Sequence, residues 1–234
     1  MKKKLVVLGI ISFMSLGGMV YAAEADSKIN IEQSNICIDA AKSFYENRDY
    51  ANAEKKLNEA LKLNNKNAEV YFRLGMIEDV VKNNKDKAIS YFTKAIELDP
   101  HNVDYYRSRA NKEAEKLQFK QLFDDLNKII ELDSQNAEAY ETLGIMHDAN
   151  GHSEESLEYF NKAIQYSHNK RVLYALYKER ASAKINLRDY DGAIADYKNA
   201  IELAKQVNDF DKISDIEYLN QRIHVLQETK KIFK

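Results

Sequence analysis

Cysteine, proline and glycine are nearly missing from this sequence, and tryptophan is missing altogether. Among 234 residues there are one cysteine, one proline and seven glycines. A lone Cys37 excludes an intramolecular disulfide framework, so an oxidising compartment would be tolerated rather than exploited. Cys37 falls on a packing position and reads as a small apolar filler. Scarce glycine and proline argue against strands, because hairpins and sandwiches need turn punctuation every few residues. There is no glycine-rich phosphate loop, no HExxH, no CxxC and no nucleophile elbow. No catalytic site, cofactor or metal centre is therefore expected. His147, Asp148 and His152 are close in sequence, but they straddle an expected turn and lack a fourth ligand. What is abundant is Ala, Leu, Glu and Lys, which favours an all-α chain.

The N-terminus reads as a targeting segment. Lys2, Lys3 and Lys4 precede an apolar stretch from Leu5 to Val20, and Val20-Tyr21-Ala22 places small residues around a cleavage point. The apolar run is about 16 residues, short of the roughly 20 that a spanning helix needs. The expectation is a signal peptide over 1–22, cleaved after Ala22, and an exported protein in the periplasm or outside the cell. The alternative is a membrane anchor left uncleaved. No cysteine follows the apolar run, which argues against a lipoprotein. Loss of three lysines leaves 32 basic against 37 acidic residues, a net charge of −5. That balance excludes a phosphate-backbone binder, so nucleic acid is not an expected partner.

A repeat dominates the remainder. Triples spaced by four and three residues run Ala53/Leu57/Ala60, Ala88/Phe92/Ala95, Leu122/Leu126/Ile129, Ser156/Phe160/Ala163 and Ala193/Tyr197/Ala200. Upstream of four of them stand Tyr71-x-x-Leu74-Gly75, Tyr106-x-x-Arg109-Ala110, Tyr140-x-x-Leu143-Gly144 and Tyr177-x-x-Arg180-Ala181. Cys37-x-x-Ala40-Ala41 is a reduced copy. Spacings of 3, 4 and 7 place such side chains on one helical face. Successive third members lie 35, 34, 34 and 37 residues apart, and a period in this range signals stacked supersecondary units that share a continuous core. Gly75 and Gly144 fit a close contact between two helices, since glycine in a helix otherwise costs about 1 kcal/mol against alanine.

In these residues the chain resembles the tetratricopeptide repeat (TPR) family. The resemblance implies a right-handed α-solenoid of about five stacked helix pairs. The units are 34–67, 68–102, 103–136 (degenerate at its small positions), 137–173 and 174–208. A capping helix over 211–231 would bury Ile213, Ile216, Leu219, Ile223 and Leu226, and 23–33 would be a patternless leader.

The resemblance also implies a concave groove, lined by the first helix of each pair, that holds a peptide or partner helix. Carried over position by position, the lining is Lys42 in the first unit; Phe72, Arg73, Met76 and Asp79 in the second; and Arg107 and Asn111 in the third. Glu141, Ile145 and Asp148 follow in the fourth, and Lys178 and Ser182 in the fifth. Some relatives clamp a terminal carboxylate with Lys and Asn, then Asn, then Lys and Arg. Arg107 and Asn111 resemble the first pair, but Thr142, Ala175 and Glu179 break the rest, which excludes that specific role. The expected function is thus a non-catalytic protein-binding scaffold of the cell envelope. The alternatives are a self-associating structural repeat, a homo-oligomer joined through terminal repeats or Cys37, and an enzyme or metal protein near His147.

Overall fold

The computed structural model describes residues 27–206 and 212–232, and the segment read as a signal peptide lies outside them. The described residues form eleven α-helices and no strand. α1 covers 27–46. It is followed by α2 Tyr50–Leu63, α3 Ala68–Val80, α4 Lys85–Leu98, α5 Val103–Glu115 and α6 Phe119–Leu132. Then come α7 Ala137–Ala149, α8 Ser153–Tyr166, α9 Lys170–Asn186, α10 Tyr190–Gln206 and α11 Lys212–Ile232. Among the described residues no helix is long and apolar enough to cross a membrane.

Among the described residues, seven of the helix starts carry a side-chain cap. Asn67, Asn102, Asn136 and Asn169 precede α3, α5, α7 and α9, and each side chain accepts a hydrogen bond from a backbone N–H of the first turn. Asp49 and Asn84 do the same for α2 and α4, and Asp189 for the start of α10. The turn inside each pair is also repeated. Arg48, Asn83, Leu117, Gly151 and Arg188 all have positive φ, from 49° to 80°, and each stands two residues before the first residue of the next helix. A left-handed residue there closes the helix end, and glycine adopts it without strain. At Gly151 a Cβ would touch nothing within 4 Å. Gly151→Ala is therefore expected to cost about 1 kcal/mol through the backbone alone. Leu117→Gly, at an exposed turn, should instead gain about 0.5 kcal/mol, since the relieved strain exceeds the added chain entropy. Chemical denaturation of both variants checks the opposite signs.

The chain divides into two compact units, Met1–Lys112 and Glu113–Lys234. In the first, Ile38 and Ala41 of α1 pack with Ala53, Leu57 and Ala60 of α2 and with Val70, Leu74 and Ile77 of α3. Cys37 is half-buried against this cluster. In the second unit, Tyr140, Phe160, Ala163, Leu176 and Ala183 join α7, α8 and α9. A further cluster unites α9, α10 and α11 through Tyr174, Ala181, Tyr197, Ala200, Leu219, Ile223 and Leu226. All fifteen residues of the five triples are buried.

Gly75 and Gly144 answer to a close approach. A Cβ at Gly75 would stand 2.6 Å from the Phe92 ring, and one at Gly144 would stand 2.8 Å from Phe160. The tyrosines are less uniform. Tyr106 and Tyr140 are buried, whereas Tyr71 is half-buried. All three hydroxyls donate to a carbonyl six residues back, at Asn65, Pro100 and Ser134, in the connection between pairs. That bond accounts for tyrosine where phenylalanine would pack equally well.

The structure changes one boundary. Residues 27–33, read as a patternless leader, are the opening turns of α1. They carry no inward apolar stripe, and Ile29 and Ile31 are exposed. Helix propagates into them from the packed part of α1, where Ser34 is fully buried and donates to the carbonyl of Ala60 at 3.1 Å. The wider spacing before the last triple also has a cause. α9 has 17 residues where α3, α5 and α7 have 13, so about one extra turn precedes Tyr177. The extra turn carries Tyr174, whose hydroxyl donates to Asp215 of α11 at 2.8 Å. Burial, reinforced by that carboxylate, pushes the Tyr174 phenol well above its ordinary range.

Candidate functional site

The groove positions fall on α1, α3 and α5 in the first unit and on α7 and α9 in the second. In the first unit most of them are engaged within the chain. Glu69 of α3 gathers two expected groove cations. Arg73 reaches it with Nε at 3.0 Å and Nη2 at 2.8 Å, and Lys42 Nζ lies 3.0 Å away. Burial works against the Glu69 anion, but these two partners outweigh it and hold the carboxyl below its usual range. Asp79 pairs with Lys112 at 3.0 Å, with both side chains mostly covered. Phe72 lies between the rings of Phe92 and Tyr105, at 5.8 and 4.9 Å between centroids, so it serves the packing of α3. Arg107 binds Asp104 at 2.7 Å one turn away. Met76 is half-buried and Asn111 exposed.

The second unit differs. Asp148 is tied to the turn after α7, accepting from Ser153 Oγ at 2.8 Å and from Asn186 Nδ2 at 3.1 Å. Lys178 Nζ lies over the Tyr174 ring at 4.9 Å from its centroid, and Ser182 is exposed. Ile145 is 44% exposed on the same helix as Glu141. Glu141 is half-buried, and the charged neighbours that act on it are two more carboxylates, Glu138 and Glu179. Desolvation first, and then their repulsion, push its carboxyl above the ordinary value. Glu179 stood out in the sequence only as a break in the carboxylate-clamp pattern. Its role beside Glu141 depends on the packing of α7 against α9 and leaves no spacing signal.

The sign of the Glu141 effect is testable. A carboxyl raised in the folded state favours folding when protonated, so its contribution is complete below the ordinary carboxylate pKa. It is lost as pH rises through the raised value. Glu141→Gln is therefore expected to have a higher Tm than the parent at pH 7, with the gap closing as pH falls below about 4. Parallel thermal melts of parent and variant across pH check this.

The histidine cluster is aromatic in character. His147 contacts the rings of Phe123, His152 and Tyr159, at 6.0, 6.0 and 5.0 Å between centroids, and both its ring nitrogens are buried without a hydrogen-bond partner. Asp148 is turned toward Ser153 and Asn186. Among the described residues no three His, Cys, Asp or Glu side chains are grouped to hold a metal.

Family models for the tetratricopeptide repeat match residues 38–111, 137–169 and 175–207. The chain belongs to the tetratricopeptide repeat family. TPR proteins bind protein or peptide partners through such repeats. Mitochondrial import receptor subunit TOM70 of Rattus norvegicus is 34% identical over 95 residues, which cover 39% of this chain and 15% of TOM70. The chain spans well under half the length of the curated relatives that it matches, 6% in one case and 36% in another. Among solved structures it is similar to MamA, with a TM-score of 0.64 and 23% identity over 75% of this chain and 93% of that one. It is also similar to YrrB, a TPR protein with an unusual peptide-binding site, with a TM-score of 0.60 and 20% identity over 71% and 84% of the two chains. At these identities the likeness shows a shared TPR fold.

Proposed function

We propose that this TPR protein is a non-catalytic scaffold of the cell envelope that holds a peptide or partner helix against the first helices of its repeats. The α7–α9 face carries the reading. There the half-buried Glu141 has like-charged neighbours and Ile145 stands exposed, whereas the corresponding groups of the first unit are already engaged within the chain. A partner that set a lysine or arginine against Glu141 and an apolar side chain against Ile145 would relieve the repulsion and cover the isoleucine. The envelope location rests on the basic, then apolar, then small-residue order of residues 1–22.

The test is affinity capture from envelope extract with the parent protein beside Glu141→Lys plus Ile145→Asp, both verified as folded by circular dichroism. A protein retained by the parent and lost by the variant supports the α7–α9 face. Equal retention moves the site to the first unit, where Asn111 and Met76 are next to be changed. No specific retention counts against the scaffold reading. Location is tested separately, by N-terminal sequencing of the protein recovered from cells, where a start at Ala23 supports export.

A further inference from the structure

α11 carries two apolar stripes. Ile216, Leu219, Ile223 and Leu226 face α9 and α10 and close that core. The second stripe is Tyr218, Val225 and Ile232, which are 54%, 53% and 77% exposed. These three are spaced by seven residues, the repeat that aligns side chains along a helix for contact with another helix. Arg222 and Thr229 lie on the same side, four residues after Tyr218 and Val225. Arg222 is half-buried, and its Nε is covered without a hydrogen-bond partner.

We propose that this stripe is the contact surface for a second copy of the chain, with α11 packed antiparallel on α11 about a two-fold axis at Val225. Side chains equally far before and after Val225 then face each other. Tyr218 meets the partner's Ile232, Val225 meets the partner's Val225, and Arg222 meets the partner's Glu228. The contact is isologous, so the Tyr218–Ile232 and Arg222–Glu228 pairs each occur twice and the Val225 pair once, on the axis. Charge complementarity selects both the occupant and the direction. A parallel arrangement would set Arg222 against Arg222 and Glu228 against Glu228, like on like. The antiparallel one brings each arginine to a carboxylate that bonds the exposed Lys231 of its own helix, at 2.7 Å, and has room for a second cation. This assembly is independent of the α7–α9 face.

Sedimentation equilibrium of the purified protein tests it. The parent is expected to pass from monomer to dimer with concentration and to stop there. Val225→Glu should raise the dissociation constant by about 100-fold, as loss of a central interface contact does, and should leave the melting curve of the monomer unchanged because Val225 is exposed. Arg222→Glu and Glu228→Arg should each weaken the dimer, and together they should restore it. In a Cys37→Ser background, Val225→Cys treated with an added thiol oxidant, which takes up the two electrons, should form a covalent disulfide dimer, because the axis sets the two sulfurs side by side. A parent that stays monomeric, a mass that grows without limit, or a dimer unaffected by Val225→Glu would each overturn the proposal.

Discussion

Phe92→Ala is expected to destabilise the protein by about 3–5 kcal/mol, the cost of removing a buried aromatic ring and leaving a cavity. Phe92 is fully buried, and its ring fills the space that the missing Cβ of Gly75 leaves on the facing helix. Gly75→Ala tests the same contact from the other side. Alanine improves helix propensity by about 1 kcal/mol. Yet the added methyl would stand 2.6 Å from the ring. Overpacking of that kind costs about 1–3 kcal/mol, so the net change should be neutral to destabilising. The two variants share one space, so combining them should cost less than the sum, because the alanine methyl can enter the cavity left by the ring. Urea titration of the two single variants and the double variant gives the coupling directly. Gly144 and Phe160 repeat the arrangement and should repeat the result.

Asp196→Ala should cost a similar amount, about 3–5 kcal/mol, for an electrostatic reason. Asp196 of α10 is buried and accepts from Arg180 of α9 through Nε at 3.0 Å and Nη2 at 2.6 Å, while Lys184 Nζ stands 2.8 Å away. Arg180 and Lys184 are themselves only 17% and 18% exposed. Removing the carboxylate strands two covered cations. The preceding pair of helices indicates the remedy, since Leu143 and Tyr159 have the same sixteen-residue separation as Arg180 and Asp196. Arg180→Leu and Lys184→Met combined with Asp196→Tyr should therefore be neutral or stabilising, as apolar replacements of buried ion clusters often are, because no covered cation is then left behind. Thermal melts should place the triple variant at or above the parent and Asp196→Ala well below it. A triple variant as unstable as Asp196→Ala would show that the ion cluster, rather than its volume, organises this helix pair.

The arginine–aspartate pair also marks the limit of sequence reading. Arg109 and Arg180 both replace the leucine of the motif, and Asp125 and Asp196 both stand sixteen residues later. The recurrence is present in the sequence, but it lies outside the apolar and small positions that define the repeat. Gly192 has no place in that pattern either. Its N–H donates to Asp189, which approaches so closely that a Cβ would collide with the carboxylate. The expected groove is written in the sequence only as a set of positions. Lys42, Arg73 and Asp79 are among those positions, but nothing in their spacing shows that Glu69 and Lys112 already engage them.

The period, the helix pairs, the triples that pack them and the closing helix were all set by the amino-acid order. In a stacked repeat each buried position meets the same neighbour in every unit, so the packing requirement recurs at a fixed interval and can be counted. The turn conformation at Arg48, Asn83, Leu117, Gly151 and Arg188 recurs with it, because it follows from local backbone geometry. Tertiary structure alone decided which polar side chains engage one another within the chain. The partner of a surface charge depends on distance between helices, and a carboxylate such as Glu141 is raised or lowered by whatever packing places beside it. The second stripe of α11 belongs to the same category. Its spacing is written in the chain, but only the packing of Leu219, Ile223 and Leu226 against α9 and α10 shows which apolar face is used and which is exposed.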